Sequence, residues 1–344
     1  MKNDRNTSLD LISGVMILWM VVYHIFMWSN LKGSRLYQLL LQWLFFFMPW
    51  FYFKSGMYFK KNIDESIVSY FKNGFSKLFV PLFFWTLLGY IITIPVQVAW
   101  RHKPLLEIIT SPLYNFIKSG DTIGNPPLWF LLSLFMVQLI AYYLAKIKDA
   151  ASLLLLLLLF TGGYFLERSS VILPVGASTI PLGLTFYFLG YFFSKYSLSI
   201  KSEKLATFLL VVFVICNLYQ WSYVDIHMNS IKYGSYISYL PMSIMAIMLC
   251  IYFSKFIKSD ILSWAGKNSM YFFVLHWPIL AAIEIMCSIF GISTTGYVFA
   301  FILAGTSFPL LFIITYFLPK NYIFLYNISK ITKRPARMHV IMRL

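Results

Sequence analysis

The chain has 344 residues, of which 60% are hydrophobic and 12% are charged, and its formal net charge is +16. A soluble domain carries about a quarter charged residues, so this composition excludes an ordinary soluble globule, and the mean hydropathy of +0.74 agrees. The positive charge has two explanations. It either serves an anionic partner such as nucleic acid, or it marks the cytoplasmic loops of a membrane protein.

A membrane-spanning helix needs about 20 predominantly apolar residues. The sequence contains ten segments of this kind, of which the leucine-rich segment 150–166 is the weakest candidate because it is short for a span. The longest predicted outer loop, about 99–127, is rich in proline and glycine, and loops of that length are usually functional or disordered. The ten segments are 9–28, 38–59, 78–98, 128–145, 150–166, 178–194, 205–222, 234–254, 268–290 and 297–318.

The basic residues decide between the two explanations of the charge. With the N-terminus inside, 20 of the 28 lysines and arginines fall on the cytoplasmic side of the ten segments, and seven fall on the outer side. The remaining one, Lys54, lies within a predicted span. This asymmetry follows the positive-inside rule, so we expect a lipid bilayer and no nucleic acid as the partner.

The sequence therefore predicts an all-α fold, a polytopic transmembrane helix bundle of about ten spans with both termini cytoplasmic. Residues 1–329 form one transmembrane domain in this interpretation. Residues 330–344 form a basic cytoplasmic tail that is expected to lie on the inner leaflet.

Polar residues within spans are costly and therefore informative, and the first span has three, Asp10, Ser13 and His24. At 100° per residue all three share one face, but Asp10 and His24 are about 21 Å apart along the axis. His24 therefore needs a partner from another helix. It is either a general base for a substrate hydroxyl or a packing histidine, and Asp10 is either functional or a helix cap.

Other candidate residues also have two explanations each. Lys54 either extends to the interface or binds an anion, and Lys72 and Lys77 are either membrane anchors or a phosphate-binding patch on the inner face. His276, in the ninth predicted span, is functional or a packing residue. The sequence has no His, Cys, Asp and Glu cluster with metal-ligand spacing, so no metal is expected.

Four segments resemble the integral membrane acyltransferase 3 family, and they follow in the family's order from residue 5 to 278. The family begins with an Arg-x-x-x-Leu-Asp-x-Leu-Arg-Gly-like run and a histidine at the end of the same helix. The four segments are Arg5-Asn-Thr-Ser-Leu-Asp10-Leu-Ile-Ser-Gly14 with His24, Phe46–Phe59 ending in a Ser-Gly pattern, Pro127-Leu-Trp-Phe-Leu131, and Gly266–Pro278 with its His-x-Pro.

The resemblance implies an enzyme, an O-acyltransferase of the cell inner membrane. Such proteins usually move an acetyl group from acetyl-coenzyme A to a hydroxyl of a surface sugar or polysaccharide, and glycan-assembly proteins are candidate partners. The acceptor would approach from the outer side. The runner-up is a transporter or exporter of a polysaccharide or lipid-linked glycan with the same fold.

The residues that match the family's segments receive roles by the same resemblance. His24 is the expected catalytic residue, with Asp10 fixing the geometry at the inner face. The site residues expected to bind coenzyme A phosphates are Arg5, Lys54, Lys72 and Lys77, and those expected to bind substrate are Trp129 and His276.

The sequence departs from the family's pattern in two ways. Ser13 stands where a basic residue is expected, and Lys72 and Lys77 stand in place of an arginine pair. Either Arg5 or Lys54 supplies the missing charge near Ser13, or this chain is altered as an enzyme.

Overall fold

The computed structural model describes residues 6–59, 66–99, 104–169, 171, 173–219, 226–227, 230–231 and 236–317. Fourteen α-helices lie in these ranges, and they are α1 (Thr7–Trp28), α2 (Arg35–Leu44), α3 (Phe47–Met57), α4 (Ile67–Gly74), α5 (Val80–Ala99), α6 (Leu105–Ser119), α7 (Trp129–Leu144), α8 (Asp149–Ser169), α9 (Ile180–Lys195), α10 (Glu203–Leu218), α11 (Tyr236–Phe253), α12 (Asp260–Lys267), α13 (Ser269–Ile289) and α14 (Gly296–Phe317).

Short elements complete the described chain. A π-helical turn, Phe75–Phe79, joins α4 to α5, and 3-10 turns at Pro126–Leu128 and Pro174–Thr179 precede α7 and α9. Two short strands, β1 (Ile226–His227) and β2 (Ser230–Ile231), pair in antiparallel fashion.

The prediction of an all-α polytopic bundle is confirmed. Among the described residues, eight helical stretches are long and apolar enough to cross a membrane. The ten predicted segments all coincide with helices, but the two at 205–222 and 234–254 correspond to the shorter helices α10 and α11. The number of spans and the cytoplasmic placement of both termini stay predictions, and the tail 330–344 lies outside the described residues.

Burial distinguishes the central helix from the peripheral ones. Helix α1 is the most enclosed spanning helix, with 72% of its apolar window buried, and it contacts α2, α3, α11, α12, α13 and α14. Helix α8 is only 17% buried, and most of its Leu153–Leu159 run is exposed. A helix that is apolar all round is suited to a membrane, so α8 faces lipid.

Two glycine pairs set the closest helix crossings. A β-carbon at Gly14 of α1 would overlap the carbonyl oxygen of Leu262, and one at Gly266 of α12 would overlap that of Asp10. In the same way, Gly56 and Gly190 bring α3 against α9. Small residues allow such close approach in membranes, where tight packing drives helix association.

The Gly14–Gly266 crossing positions residues further along both helices. Ten residues separate Gly14 from His24, and ten residues separate Gly266 from His276. At 1.5 Å per residue the α1 path advances about 15 Å, whereas the second path passes from α12 through Asn268 into α13. Ser263 contacts Thr7 and Gly266 contacts Asp10, so α1 runs parallel to α12, and α13 also packs against α1.

The predicted outer loop at 99–127 is largely helical, so its assignment as a loop is wrong. Helix α6 fills most of it, with Pro112 inside. Proline lacks the N–H that would bond to the carbonyl of Ile108 four residues earlier, and the Tyr90 hydroxyl of α5 donates to that carbonyl instead. A neighbouring element thus satisfies the freed backbone group, as a buried carbonyl requires.

We predict that Gly266→Ala destabilises the bundle, because the new β-carbon meets backbone atoms of α1 that cannot rotate away. Overpacking of this kind costs about 1–3 kcal/mol. Thermal unfolding of the purified protein in detergent measures the effect as a lower Tm. Gly162→Ala is the matched control, since a β-carbon at Gly162 of α8 meets nothing within 4 Å. Equal Tm values for the two variants would contradict the prediction.

Candidate active site

Two histidines from different helices meet inside the bundle. The rings of His24 (α1) and His276 (α13) have centroids 4.9 Å apart at an interplanar angle of 40°. His276 is completely buried, whereas His24 is half-buried. The partner that His24 needs from another helix is therefore His276.

Backbone carbonyls fix the tautomer of each ring. Nδ1 of His24 lies 2.9 Å from the carbonyl oxygen of Met20, and Nδ1 of His276 lies 2.8 Å from that of Phe273. A carbonyl oxygen can only accept, so each Nδ1 carries the hydrogen. In the neutral rings, both Nε2 atoms then keep a lone pair. Nε2 of His276 is buried without a hydrogen-bond partner in the described part of the chain.

Aromatic side chains contact His24 and one another next to this pair. Trp277 packs edge-on against His24 with centroids 5.6 Å apart, and Trp28 packs against Trp277 at 4.9 Å. Tyr23 contacts the other side of His24 at 5.1 Å. These rings form an apolar wall, and such a wall with few convergent polar groups is typical of small-molecule sites.

A second polar cluster lies near the other end of α1. Lys54 Nζ of α3 is 3.1 Å from Oδ1 of Asp10 and 2.7 Å from Oγ of Ser13. The Trp50 indole donates to the same hydroxyl at 3.0 Å, and Ser13 donates to the carbonyl of Leu9. The side chains of Lys54 and Asp10 are 15% and 5% exposed. We call Asp10, Ser13, Trp50 and Lys54 the lysine cluster.

The lysine cluster corrects one expectation. Lys54 does not extend to the interface, because its ammonium group turns inward to Asp10 and Ser13. As the sequence predicts, Asp10 and His24 stay at separate ends of α1, with about 21 Å between them along the axis. The structure therefore holds two sites and not one.

Two other expected anion-binding residues are not members of the lysine cluster. Lys72, in α4, and Lys77, in the π-helical turn, are both exposed. Turns of π-helix occur often at functional sites. Arg5, the remaining expected cation, lies outside the described residues.

Trp129 is half-buried at the first position of α7. Its ring packs against that of Phe130 with centroids 6.2 Å apart. Within the described ranges, the ring contacts neither histidine, so the structure brings His276 to His24 but not Trp129.

One comparison decides the family. The model of an acyltransferase domain, that of the acyltransferase 3 family, matches residues 6–321, which is nearly the whole chain. The chain belongs to the acyltransferase 3 family. Searches of curated proteins and of solved structures find no match.

The match makes this chain a membrane acyltransferase in general terms. The lysine cluster also bears on its departure from the family's opening run. The small Ser13 leaves room for Lys54, so a positive charge reaches this position from α3 rather than from α1. Arg5 and Lys54 were the two residues considered as the source of charge near Ser13, and the structure places the ammonium group of Lys54 there.

Two relationships in this acyltransferase are not apparent from its sequence. The pairing of His24 with His276 was not predicted, although Gly14 and Gly266 precede them by the same ten residues. Asn125 was also not singled out. It is completely buried, and its amide donates to the carbonyl of Val274 at 3.0 Å. Pro278, four residues after Val274, has no N–H to donate to the Val274 carbonyl. This proline is the sequence signal that the carbonyl needs a donor from another part of the chain.

We predict that Lys54→Met strongly destabilises this acyltransferase, because it removes the ammonium group that lies 3.1 Å from the buried carboxylate of Asp10. Breaking a buried pair costs about 3–5 kcal/mol, whereas replacing both partners is often neutral. The double variant Lys54→Met with Asp10→Asn should therefore regain most of the loss, as measured by denaturant unfolding.

Lys195→Met is the matched control for this measurement. Its pair with Asp149 has an Nζ–Oδ2 distance of 2.6 Å, but each side chain is 31% exposed. More exposed pairs contribute only about 0–1 kcal/mol. If Lys54→Met lowered the free energy of unfolding no more than Lys195→Met does, the prediction that Lys54 and Asp10 form a stabilising buried charge pair would be wrong.

Proposed function

We propose that this chain is an O-acyltransferase of the inner membrane that moves an acetyl group from acetyl-coenzyme A to a hydroxyl of a cell-surface sugar or polysaccharide. The observation that carries the proposal is the contact between His24 and His276, each with Nδ1 donating to a carbonyl and Nε2 left as an acceptor. Acyl transfer to a hydroxyl needs a base of this kind.

His24 is the better placed general base of the two. It is half-buried and lies beside the aromatic wall, whereas His276 is completely enclosed. In the proposed reaction, Nε2 of His24 accepts the proton of the acceptor hydroxyl as its oxygen attacks the acyl carbonyl. The oxygen–carbon bond forms, the carbon–sulfur bond breaks, and His24 returns the proton to the departing thiolate.

His276 supports this proton transfer through its position. Its Nδ1 lies 3.1 Å from the carbonyl oxygen of Phe272 and 2.8 Å from that of Phe273, which holds the ring in place against His24. Two protonated rings with centroids 4.9 Å apart would repel each other strongly inside the bundle. The pair is therefore suited to hold one proton at a time.

Lys72 and Lys77 are the residues that fit the phosphates of the donor. Acetyl-coenzyme A supplies an activated acyl thioester and carries several phosphate charges. Both lysines are exposed, so their ammonium groups can reach an anion as point charges. Lys54 fits less well than the sequence suggests, because its ammonium group already contacts Asp10 and Ser13.

We predict that His24→Ala lowers kcat for acyl transfer by about 100-fold or more, the usual contribution of a general base. The purified protein in lipid nanodiscs receives radiolabelled acetyl-coenzyme A and de-acetylated surface polysaccharide. Thiol release and label in the polysaccharide are measured together. His227→Ala, which removes a histidine of β1 outside the helices, should leave both rates unchanged.

The same experiment separates the enzyme from a transporter. Transfer by the wild-type chain with loss in His24→Ala supports the proposal, provided that both proteins unfold at the same Tm. Undiminished transfer by His24→Ala would overturn the assignment of the base. Passage of labelled glycan into vesicles without thiol release would overturn the enzyme proposal itself.

A further inference from the structure

Pro278 leaves a gap in the backbone hydrogen bonds of α13. In an α-helix the N–H of residue 278 would donate to the carbonyl of residue 274, but proline has no N–H. The carbonyl of Val274 is one turn before Pro278, and His276 and Trp277 lie between them. The freed carbonyl therefore belongs to the turn that carries both α13 residues in contact with His24.

Asn125 fills this gap from a different part of the chain. Its Nδ2 donates to the Val274 carbonyl at 3.0 Å, and the residue is completely buried. Since a carbonyl can only accept, the orientation of the amide is fixed with its nitrogen toward α13. The remaining oxygen, Oδ1, is buried without a hydrogen-bond partner among the described residues.

The segment that carries Asn125 is itself held rigidly. The Thr122 hydroxyl donates to the carbonyl of Asn125 at 2.8 Å, and the N–H of Asn125 donates to the carbonyl of Thr122 at 2.8 Å. Gly124 packs directly against the backbone of α5, where a β-carbon would overlap Thr86 and Tyr90. The amide thus reaches α13 from a fixed support.

We infer that Asn125 is a positioning residue for the acyl-transfer reaction: it replaces the hydrogen bond that Pro278 removes and so holds the turn that sets His276 and Trp277 against His24. This inference rests on the proposed function for its effect on activity. Its structural part, the support of the α13 turn by Asn125, can be tested separately.

The sequence offers a direct test, because Pro278→Ala restores a backbone N–H for the Val274 carbonyl. Asn125→Ala alone should lower kcat by about 10- to 100-fold, since small misplacements of catalytic groups have effects of this size. In the Pro278→Ala background the same substitution should change kcat by no more than about twofold. The Tm of every variant is measured alongside.

A matched pair in the same chain controls for general destabilisation. Tyr90 donates to the Ile108 carbonyl that Pro112 leaves free. Tyr90→Phe therefore removes a bond of the same kind, while the backbone of Tyr90 against which Gly124 packs stays in place. Tyr90→Phe should lower Tm without the loss of kcat. A loss of kcat equal to that of Asn125→Ala would overturn the inference.

A readout independent of activity keeps the two proposals distinguishable. Diethyl pyrocarbonate modifies unprotonated imidazole nitrogens, and mass spectrometry reports the rate at His276 and at His24. Asn125→Ala should raise the rate at His276, and Pro278→Ala should cancel the increase. If neither variant alters it, or if Asn125→Ala is as harmful in both backgrounds, the positioning role is wrong. If only acyl transfer is lacking in all proteins, the proposed function fails and the positioning role stands.

Discussion

The close parallel packing of α1 on α12 and α13 is the constraint on which the rest of the structure depends. Gly14 and Gly266 allow backbones to meet where any β-carbon would overlap a carbonyl oxygen. Helix α1 also packs against α13, and each histidine follows its glycine by ten residues. The glycine contact therefore helps to position the histidine pair. Glycines without reactive side chains thus help to position the two histidines. Helices in lipid associate through tight packing and not through the exclusion of water.

Burial in a membrane protein also explains why most polar groups of this chain have a specific partner. An unsatisfied polar group is costly in hydrocarbon, and this chain satisfies such groups in specific ways. Lys54 neutralises Asp10, Tyr90 covers the carbonyl freed by Pro112, and Asn125 covers the one freed by Pro278. Among the described residues some buried acceptors have no partner, including Nε2 of His276 and Oδ1 of Asn125.

The sequence predicted what depends on local pattern. Apolar length placed all ten segments on helices, and the position of His24 showed that it needed a partner from elsewhere. The contacts themselves depend on residues far apart in the chain: Lys54 lies 44 residues from Asp10, and Asn125 lies 149 residues from Val274. Periodicity carries no information on such pairs. Lys54 was therefore expected either to extend to the interface or to bind an anion such as a coenzyme A phosphate, and neither its contact with Asp10 nor the role of Asn125 was predicted.

The separation of the two polar clusters constrains how any charged donor could be used. The lysine cluster and the histidine pair lie at different levels of α1, and between them the helix buries apolar residues such as Met16, Ile17 and Met20. A phosphate group would lose its hydration on this path without meeting a cation in the described helix. The proposed reaction therefore requires that the charged part of the donor stay outside this buried stretch. In that proposal, exposed cations such as Lys72 and Lys77 would hold the phosphates, and only the uncharged acyl end would reach His24.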